Sequence, residues 1–570
     1  MMRRLTFCSL LSLLCSIPIL HAQSLSEEVS PELRKQIDAF YGEWTDQDVP
    51  GYASAVVHEG KVVYKKVFGR EGIGSDRGIS ATSLFNIGSI SHQQLIYGLF
   101  LLEESGKLSL DDPLSTYLPM ASRFKETIQL KHLLSHASGL YDYRILKPLL
   151  GWTAEDDFTQ KDLLWIVSQQ QALSFTPGTD FAYSLTNIAL LVVAMEQASG
   201  LPVSEFMRKE VYEPLGMKHS FWVSAHAWPF DQLSKSYRRE NDSWREVQVA
   251  DVSYGRGNVF TSIDDLITWE LTVYEAIKRG DSIMDRLGEV IQLPSGRQYN
   301  MPEGKLTLGQ RYVHAERGIH ERYRISSRGG FASSIFSFPD YGFVGIVLHK
   351  DGTDYNGYLS METAYLFLEE EFPEPATTDY SQMDIPQLSL ETLAIHEGTY
   401  WDPAGELSRK IILSEDTLRY VRSPENASPL IPLGENYFQM KQPWDDKVYI
   451  HFFHSEEGSQ MTYTIGEAEP VPFYKYDPIS YLEEELTSTY AGTYWNEVYG
   501  IGFQLVAEKD KLKTVSVKGE ELIFTSITPT VFSGNQWFMG SIEFEMDTSS
   551  EVRGFSLKNP GIRNLWFEKK

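Results

Sequence analysis

The 570-residue chain is 42% hydrophobic and 23% charged, a composition typical of a globular protein with about two to three domains. Its formal net charge of −27 argues against nucleic acid or an anionic membrane surface as a partner. Both cysteines, Cys8 and Cys15, lie near the N-terminus, so the rest of the chain has no disulfide or cysteine-ligated metal.

The N-terminus has the pattern of a secretory signal peptide. Arg3 and Arg4 precede an apolar run over residues 5–20. Ser, Cys and Pro interrupt this run, which is shorter than the roughly 20 residues that span a bilayer. We therefore expect residues 1–22 to be removed, leaving a secreted or periplasmic protein with no membrane span.

The next predicted elements indicate an α+β domain. Residues 53–58 and 61–67 alternate like two strands joined at Glu59-Gly60, which predicts a β-hairpin. Apolar residues at helical spacing follow, and strand-like runs return late. The helices are predicted over residues 93–105, 161–171 and 187–200, and the late strands over 332–338 and 343–349. Strands from both ends of this region would form one sheet with the helices between them.

The helix predicted from residue 93 is preceded by a serine and a histidine that could carry chemistry. Ser89 and His92 are three positions apart, so on a helix they share a face. A helix N-terminus presents free N–H groups that favour a developing oxyanion beside a serine hydroxyl. The alternative is structural, because serine is a common N-cap and a lone histidine is usually a surface residue.

The C-terminal third contains an internal repeat after a linker. Residues 373–387 are rich in Pro, Thr, Asp and Ser, which predicts a domain boundary. The sequence Gly-Thr-Tyr-Trp at 398–401 recurs at 492–495, and the triplets at 473–475 and 567–569 share the same offset of 94 residues. Two β-rich modules, residues 388–478 and 482–570, are the economical interpretation.

Several segments of the first domain resemble a known family. Their order and spacing are similar to those of the serine β-lactamases, in particular the class C branch with its D-Ala-D-Ala carboxypeptidases, over residues 130–140, 175–184, 214–217 and 257–262. The resemblance covers residues 26–372. It implies a β-lactamase-like domain, with an antiparallel sheet flanked by helices. The two following all-β modules look like the lipocalin-like modules that often accompany this family.

The family motifs imply roles for particular residues. In the pattern Ser-x-x-Lys, Ser89 matches the nucleophile, and His92 stands where the lysine would be. Imidazole is largely neutral at pH 7, so His92 could accept the serine proton. In the pattern Tyr-x-Asn, Tyr183 matches as a second candidate base, but Leu185 replaces the asparagine. Asn187 is then the candidate for the substrate-orienting role.

The third family motif, His/Lys-x-Gly, is altered. The corresponding stretch, residues 324–333, is shortened, and we expect Arg328 with Gly329 to supply the cationic, substrate-binding role. His136 lies in a segment that shapes a turn in this family. We expect no metal or cofactor, because the remaining histidines show no metal-ligand spacing: His58, His219, His349 and His396.

Two hypotheses for function remain. The first is an exported serine hydrolase that forms an acyl-enzyme at Ser89 with a small ester, an amide or a D-amino-acid peptide. The second is a catalytically inactive protein of the same fold that binds a peptidoglycan-type ligand or a protein partner. The departures at His92, Leu185 and the Arg328 region favour the second, and the retained Ser89 and Tyr183 favour the first.

Overall fold

The structure, a computed structural model, describes residues 29–40, 49–223, 234–241, 243–301, 304–316, 319–352, 359–371, 385–423, 426–441, 447–455, 458–466, 470–515 and 519–570. The predicted signal peptide lies outside these residues, as does most of the predicted linker 373–387.

The strands of the first domain form one large antiparallel sheet and two small ones. In chain order they are β1 Tyr52–His58, β2 Lys61–Phe68, β3 Phe85–Asn86, β4 Phe221–Trp222, β5 Ser236–Glu240, β6 Ser243–Val247, β7 Val259–Thr261, β8 Asn300–Met301, β9 Gly304–Leu306, β10 Tyr312–Glu316, β11 Ile319–Arg328, β12 Phe331–Phe338 and β13 Phe343–His349. The large sheet has the order β2-β1-β13-β12-β11-β10-β9-β8. The first hairpin therefore pairs with the last strand, as the sequence predicts.

The predicted hairpin turn has the backbone geometry that its sequence favours. Glu59 and Gly60 both have positive φ, 49° and 77°, as in a two-residue type I′ turn. Lys61 pairs with His58 directly across this turn. The Glu-Gly pair thus fixes the register of the strands that open the domain.

Helices cover both faces of the large sheet. The helices Pro31–Phe40 and Leu359–Phe367 enclose one apolar cluster against it, and the helices between β3 and β8 enclose a second, larger cluster. Strands β12 and β13 are buried along their whole length. This two-sided burial explains why β13 is an almost continuous apolar run and why neither strand contains an alternating series of charged residues.

The helices of the first domain lie mainly between β3 and β8. They are Pro31–Phe40, His92–Glu104, Leu114–Tyr117, Leu130–Leu134, Tyr143–Leu149, Gln160–Gln169, Leu185–Ser199, Val203–Phe206, Glu213–Leu215, Ile263–Lys278, Ser282–Leu287 and Leu359–Phe367. Among the described residues no single helix has the length and apolar composition of a membrane span. Two segments, Leu185–Ser199 and Val203–Leu215, meet that test only together, with a bend of 72° between them.

The C-terminal region forms two closed antiparallel barrels, each with a short helix before it. The first follows helix Leu390–Ala394 and contains β14 Gly398–Asp402, β15 Leu407–Ser414, β16 Thr417–Ser423, β17 Asn426–Pro432, β18 Tyr437–Met440, β19 Val448–Ser455, β20 Gly458–Ile465 and β21 Val471–Tyr476. The second follows helix Glu483–Thr489 and contains β22 Gly492–Asn496, β23 Ile501–Glu508, β24 Lys511–Val515, β25 Glu521–Ser526, β26 Val531–Gln536, β27 Met539–Met546, β28 Val552–Asn559 and β29 Ile562–Lys569. The predicted fold class, an α+β domain followed by two all-β lipocalin-like modules, is confirmed.

The repeat detected in the sequence extends to individual hydrogen bonds. The hydroxyls of Tyr400 and Tyr494 each donate to the carbonyl four residues earlier, at 2.9 and 2.6 Å. The Nζ atoms of Lys475 and Lys569 each donate to the carbonyl 80 residues earlier, both at 3.0 Å. Each lysine thereby ties the last strand of its barrel to the helix that precedes the first strand.

Candidate active site

Ser89 lies in a tight turn between strand β3 and the long helix His92–Glu104. The 3-10 turn Gly88–Ser91 is fixed by two hydrogen bonds: Gly88 N–H donates to Asn86 Oδ1 at 3.0 Å, and Ser91 Oγ donates to the Gly88 carbonyl at 2.6 Å. Gly88 has a φ of +46°, a conformation that favours glycine. The turn leaves Ser89 half-buried at the helix N-terminus, while its neighbours on both sides are buried.

Arg324 joins the hydroxyl of Ser89 to that of Tyr183. Its Nε donates to Ser89 Oγ at 3.1 Å, and its Nη2 donates to Tyr183 Oη at 2.6 Å. These two nitrogens form one edge of the guanidinium, which normally grips a carboxylate with two parallel hydrogen bonds. The two hydroxyl oxygens are therefore neighbours on a single cationic edge.

The surroundings of Arg324 keep it charged. The side chain is 5% exposed and lies over the rings of Tyr183 and Tyr312, at 5.6 and 5.0 Å from their centroids. Burial alone would lower the pKa of Arg324, but the two tyrosines raise it above its ordinary value. A permanent positive charge thus sits against Ser89 Oγ, where it can stabilise an alkoxide or an oxyanion.

Ser326 lies on the same side of strand β11 as Arg324, two residues further on, and contacts the backbone of Ser89. The N–H of Ser89 donates to Ser326 Oγ at 3.0 Å. A side chain on Gly88 would come within 2.3 Å of the same oxygen. The close approach of β11 to the serine turn therefore depends on glycine at position 88.

His92 is fully buried and its ring is bound to the segment around Gly255. Its Nε2 lies 3.1 Å from the carbonyl of Gly255, so Nε2 carries the proton, and Nδ1 has no hydrogen-bond partner among the described residues. Burial lowers the pKa of His92 well below its ordinary value, and the charge of Arg324 lowers it further. The ring is neutral. Contrary to the expected pairing, no hydrogen bond joins it to Ser89 in the described part of the chain.

The ring of Tyr183 contacts the ring of His136. The ring of His136 lies 4.5 Å from that of Tyr183, centroid to centroid. His136 Nε2 donates to Gln310 Oε1 at 2.8 Å, and burial lowers the pKa of His136 to about 4. A neutral, hydrogen-bonded histidine thus supports the tyrosine, in keeping with the structural role expected for His136.

Asn187, expected to orient substrate, is committed to a buried polar cluster. Its Oδ1 accepts a hydrogen bond from Ser138 Oγ at 2.6 Å, and its Nδ2 lies 3.4 Å from His136 Nδ1. Leu185 is buried at the start of the helix Leu185–Ser199. In the described structure neither residue presents a hydrogen-bonding group to Ser89.

Arg328, expected to supply the cation beside the serine, is engaged elsewhere. Its Nη2 donates to the carbonyl of Asp251 and to Asn258 Oδ1. Burial is the main cause that lowers the pKa of Arg328 to about 10, and the charge of nearby Arg256 acts in the same direction. Gly329, with a φ of +59°, forms the turn from β11 to β12.

The cation next to Ser89 is thus Arg324, and the alternation of strand residues could have revealed it. Successive side chains of a strand point to opposite faces, so Arg324, Ser326 and Arg328 share one face of β11. The sequence motif indicated the strand but not which of these positions reaches the serine.

The second barrel contacts the loop that leads into Tyr183. Arg563, at the β28–β29 hairpin, pairs with Asp180, and its Nη2 donates to the Phe181 carbonyl at 3.0 Å. Asn564 accepts a hydrogen bond from the Tyr141 hydroxyl at 2.6 Å. The second barrel therefore supports the loop that precedes Tyr183. The residues in contact are about 400 positions apart in the sequence, so no local pattern predicts these contacts.

Comparison with known proteins identifies the class. The chain matches the Beta-lactamase family model over residues 33–365, more than half its length. The chain belongs to this family, as the resemblance of its motifs implied.

Relatives within the family are similar over part of their length. Penicillin-binding protein 4* of Bacillus subtilis is 26% identical over 230 residues, which cover 38% of this chain and 50% of that protein. A D-aminopeptidase of Brucella anthropi is 27% identical, covering 39% and 42%, and a teichoic acid D-alanine hydrolase of Staphylococcus aureus is 28% identical, covering 37% and 51%. The chain thus spans about half the length of these curated relatives.

A solved structure shares the fold over a longer stretch. The octameric penicillin-binding protein homologue from Pyrococcus abyssi aligns with a TM-score of 0.52 at 19% identity, over 78% of this chain and 99% of that chain. At this level of identity the likeness concerns the fold alone.

Proposed function

We propose that this protein is an exported serine hydrolase that transfers an acyl group to Ser89 and then to water. The observation that carries the proposal is the single guanidinium edge of Arg324 donating to both Ser89 Oγ and Tyr183 Oη, at 3.1 and 2.6 Å. This arrangement provides a nucleophile, a neighbouring oxygen that can take its proton, and a fixed positive charge.

The chemistry assigns one step to each group. Ser89 Oγ attacks the acyl carbonyl carbon as its proton passes to Tyr183 Oη, and the proton of Tyr183 passes in the same relay to the departing amine or alcohol, which leaves an ester at Ser89. Arg324 stabilises the negative charge that develops on the reacting oxygens. Water attacks this ester in the reverse sequence and restores the serine.

His92 has no role in this proton transfer. Its ring is neutral, and its Nε2 proton is bound by the Gly255 carbonyl. Tyr183 is therefore the proposed base, although the sequence left both residues as candidates.

We further propose a small ester, an amide or a D-amino-acid peptide as the substrate. Support comes from relatives whose names denote D-amino-acid chemistry, a D-aminopeptidase and a teichoic acid D-alanine hydrolase. The N-terminal signal-peptide pattern supports a secreted or periplasmic location, where cell-wall peptides are found.

The test is covalent labelling of the full chain with a fluorophosphonate probe, together with hydrolysis of p-nitrophenyl acetate. We expect wild type to be labelled at Ser89 and Ser89→Ala to lose both labelling and hydrolysis. Ser105→Ala, at the exposed far end of the same helix, is the matched control and should behave as wild type. Labelling that persists in Ser89→Ala would reject the nucleophile.

A second candidate, a binding protein without turnover, is favoured by one observation. Ser326 Oγ already accepts the Ser89 N–H, the backbone donor that would otherwise stabilise an oxyanion. This candidate predicts that D-Ala-D-Ala binds equally to wild type and Ser89→Ala in calorimetry, with no labelling or hydrolysis by either. Hydrolysis abolished by Ser89→Ala would exclude it.

A further inference from the structure

Acyl transfer at Ser89 requires hydrogen-bond donors for the carbonyl oxygen, which becomes negatively charged as the tetrahedral intermediate forms. The backbone N–H of Ser89 is the nearest donor in the turn, but it already donates to Ser326 Oγ at 3.0 Å. Two cases are therefore possible. Either the Ser326 hydroxyl itself donates to the oxyanion, or it occupies the Ser89 N–H and removes that donor from the site.

The Ser326 hydroxyl has a proton to give. Its oxygen accepts from Ser89 N–H, and within the described ranges no acceptor is found for its own proton. A serine hydroxyl accepts and donates at the same time, and a donor that itself accepts a hydrogen bond is polarised and strengthened. The side chain is 8% exposed, so this proton lies in a site with little water to compete for it.

The backbone around Ser326 is shaped for this contact. Gly88 has no side chain, and one added there would come within 2.3 Å of Ser326 Oγ. Ser326 also shares a strand face with Arg324, whose Nε donates to Ser89 Oγ at 3.1 Å. Two side chains of one strand thus reach Ser89, Arg324 at its hydroxyl and Ser326 at its backbone N–H.

We propose that Ser326 is a catalytic residue whose hydroxyl donates to the carbonyl oxygen of the acyl group that Ser89 attacks. The Ser89 N–H stabilises this oxyanion indirectly, by donating to the Ser326 oxygen. The inference rests on the proposed hydrolase function, because it needs an acyl group at Ser89. No bond to Ser326 forms or breaks, and its proton remains on Oγ throughout.

The opposite role, in which Ser326 merely blocks the Ser89 N–H, predicts an effect of opposite sign. If the hydroxyl is an oxyanion donor, Ser326→Ala and Ser326→Gly should both slow acylation of Ser89, by about 100-fold, the typical cost of one such donor. If the hydroxyl is a block, both variants should acylate faster than wild type, because the backbone N–H becomes available to the substrate.

The experiment measures the second-order rate constant of fluorophosphonate labelling of the full chain, followed by intact mass, and the rate of p-nitrophenyl acetate hydrolysis. Ser327→Ala is the matched control, since Ser327 is the next residue on β11 and is exposed on the other face. We expect wild-type rates for Ser327→Ala and a fall of about 100-fold for both Ser326 variants, with melting temperatures unchanged.

The outcomes separate this proposal from the function on which it rests. Unchanged or faster acylation in folded Ser326→Ala, with labelling still abolished by Ser89→Ala, would overturn the role of Ser326 and leave the hydrolase standing. Wild-type protein that is not labelled at Ser89 would overturn both. If Ser326→Ala unfolds, Ser326→Gly decides the sign, because it removes the hydroxyl and adds no atom.

Discussion

The two barrels have the same strand order and the same internal hydrogen bonds, yet they stand in different relations to the rest of the chain. The apolar core of the first barrel is a separate cluster. The core of the second belongs to one continuous cluster with the core of the β-lactamase-like domain. The two copies thus share the same strand order and internal hydrogen bonds, while the second copy also packs against the β-lactamase-like domain.

Polar contacts follow the same division. In addition to the Arg563 contacts, the N–H of Asp142 in the first domain donates a hydrogen bond to the Gly561 carbonyl of the second barrel, at 3.1 Å. The first barrel contacts the second through Glu406, whose carboxylate is buried near Gly540 and Ser541. We infer that the second barrel stabilises the site directly and that the first is attached to the second.

The strongest test of this difference removes the same core ring from each barrel. Phe473 and Phe567 occupy equivalent positions and are both buried. Truncation of a buried Phe costs about 3–5 kcal/mol. We expect Phe567→Ala to lower the melting temperature of the β-lactamase-like domain in calorimetry and Phe473→Ala to affect only the first barrel. Equal effects on that domain would contradict the comparison.

The contact between the barrels should weaken as the pH rises. Burial raises the pKa of Glu406 to about 8, whereas the ordinary value is 4.5. Between these values the folded chain holds a proton that the unfolded chain has released, so the stability of the folded state falls as pH increases. Glu406→Gln should flatten this dependence in melting curves recorded from pH 5 to pH 9.

Glu415→Gln is the matched control for Glu406→Gln. Glu415 is an exposed turn residue of the same barrel and, like Glu406, has a positive φ. This variant should keep the wild-type slope of melting temperature against pH. A wild-type slope in Glu406→Gln would show that another group controls the contact.

A smaller effect is expected where the second barrel meets the Tyr183 loop. Arg563→Ala removes the ion pair with Asp180 and the bond to the Phe181 carbonyl, at a cost of about 1–2 kcal/mol because the contact is partly exposed. Arg553→Ala, in an exposed pair with Glu545 of the same barrel, should cost about 0.5 kcal/mol or less. Urea unfolding measures the change in the free energy of unfolding for each variant. Equal changes would show that Arg563 contributes no more to stability than an exposed ion pair does.

Much of this fold could be predicted from the sequence because the relevant forces are local or periodic. The Glu59-Gly60 turn, the apolar spacing of the helices and the repeat offset of 94 each predict an element that the structure contains. The contact of Arg563 with Asp180 could not be predicted, because it depends on how the second barrel packs against a loop of the first domain.

The site could be predicted only in part, for a similar reason. Motifs indicated Ser89 and Tyr183, but the cation of the third motif was expected at Arg328, whereas the cation that contacts Ser89 and Tyr183 is Arg324. The side chain of a strand residue is directed by the register of its sheet, which the shortened motif does not fix. His92 faces Gly255 because the helix N-terminus packs against the segment Tyr254–Arg256, a tertiary contact absent from the local pattern.

The central claim is that Arg324, and not His92, activates Ser89 together with Tyr183. The direct measurement is the rate of fluorophosphonate labelling of Ser89 in Arg324→Gln and His92→Gln, with folding checked by melting temperature. We predict a fall of at least about 100-fold for Arg324→Gln and less than about 10-fold for His92→Gln. A large loss in His92→Gln with Arg324→Gln near wild type would contradict the account.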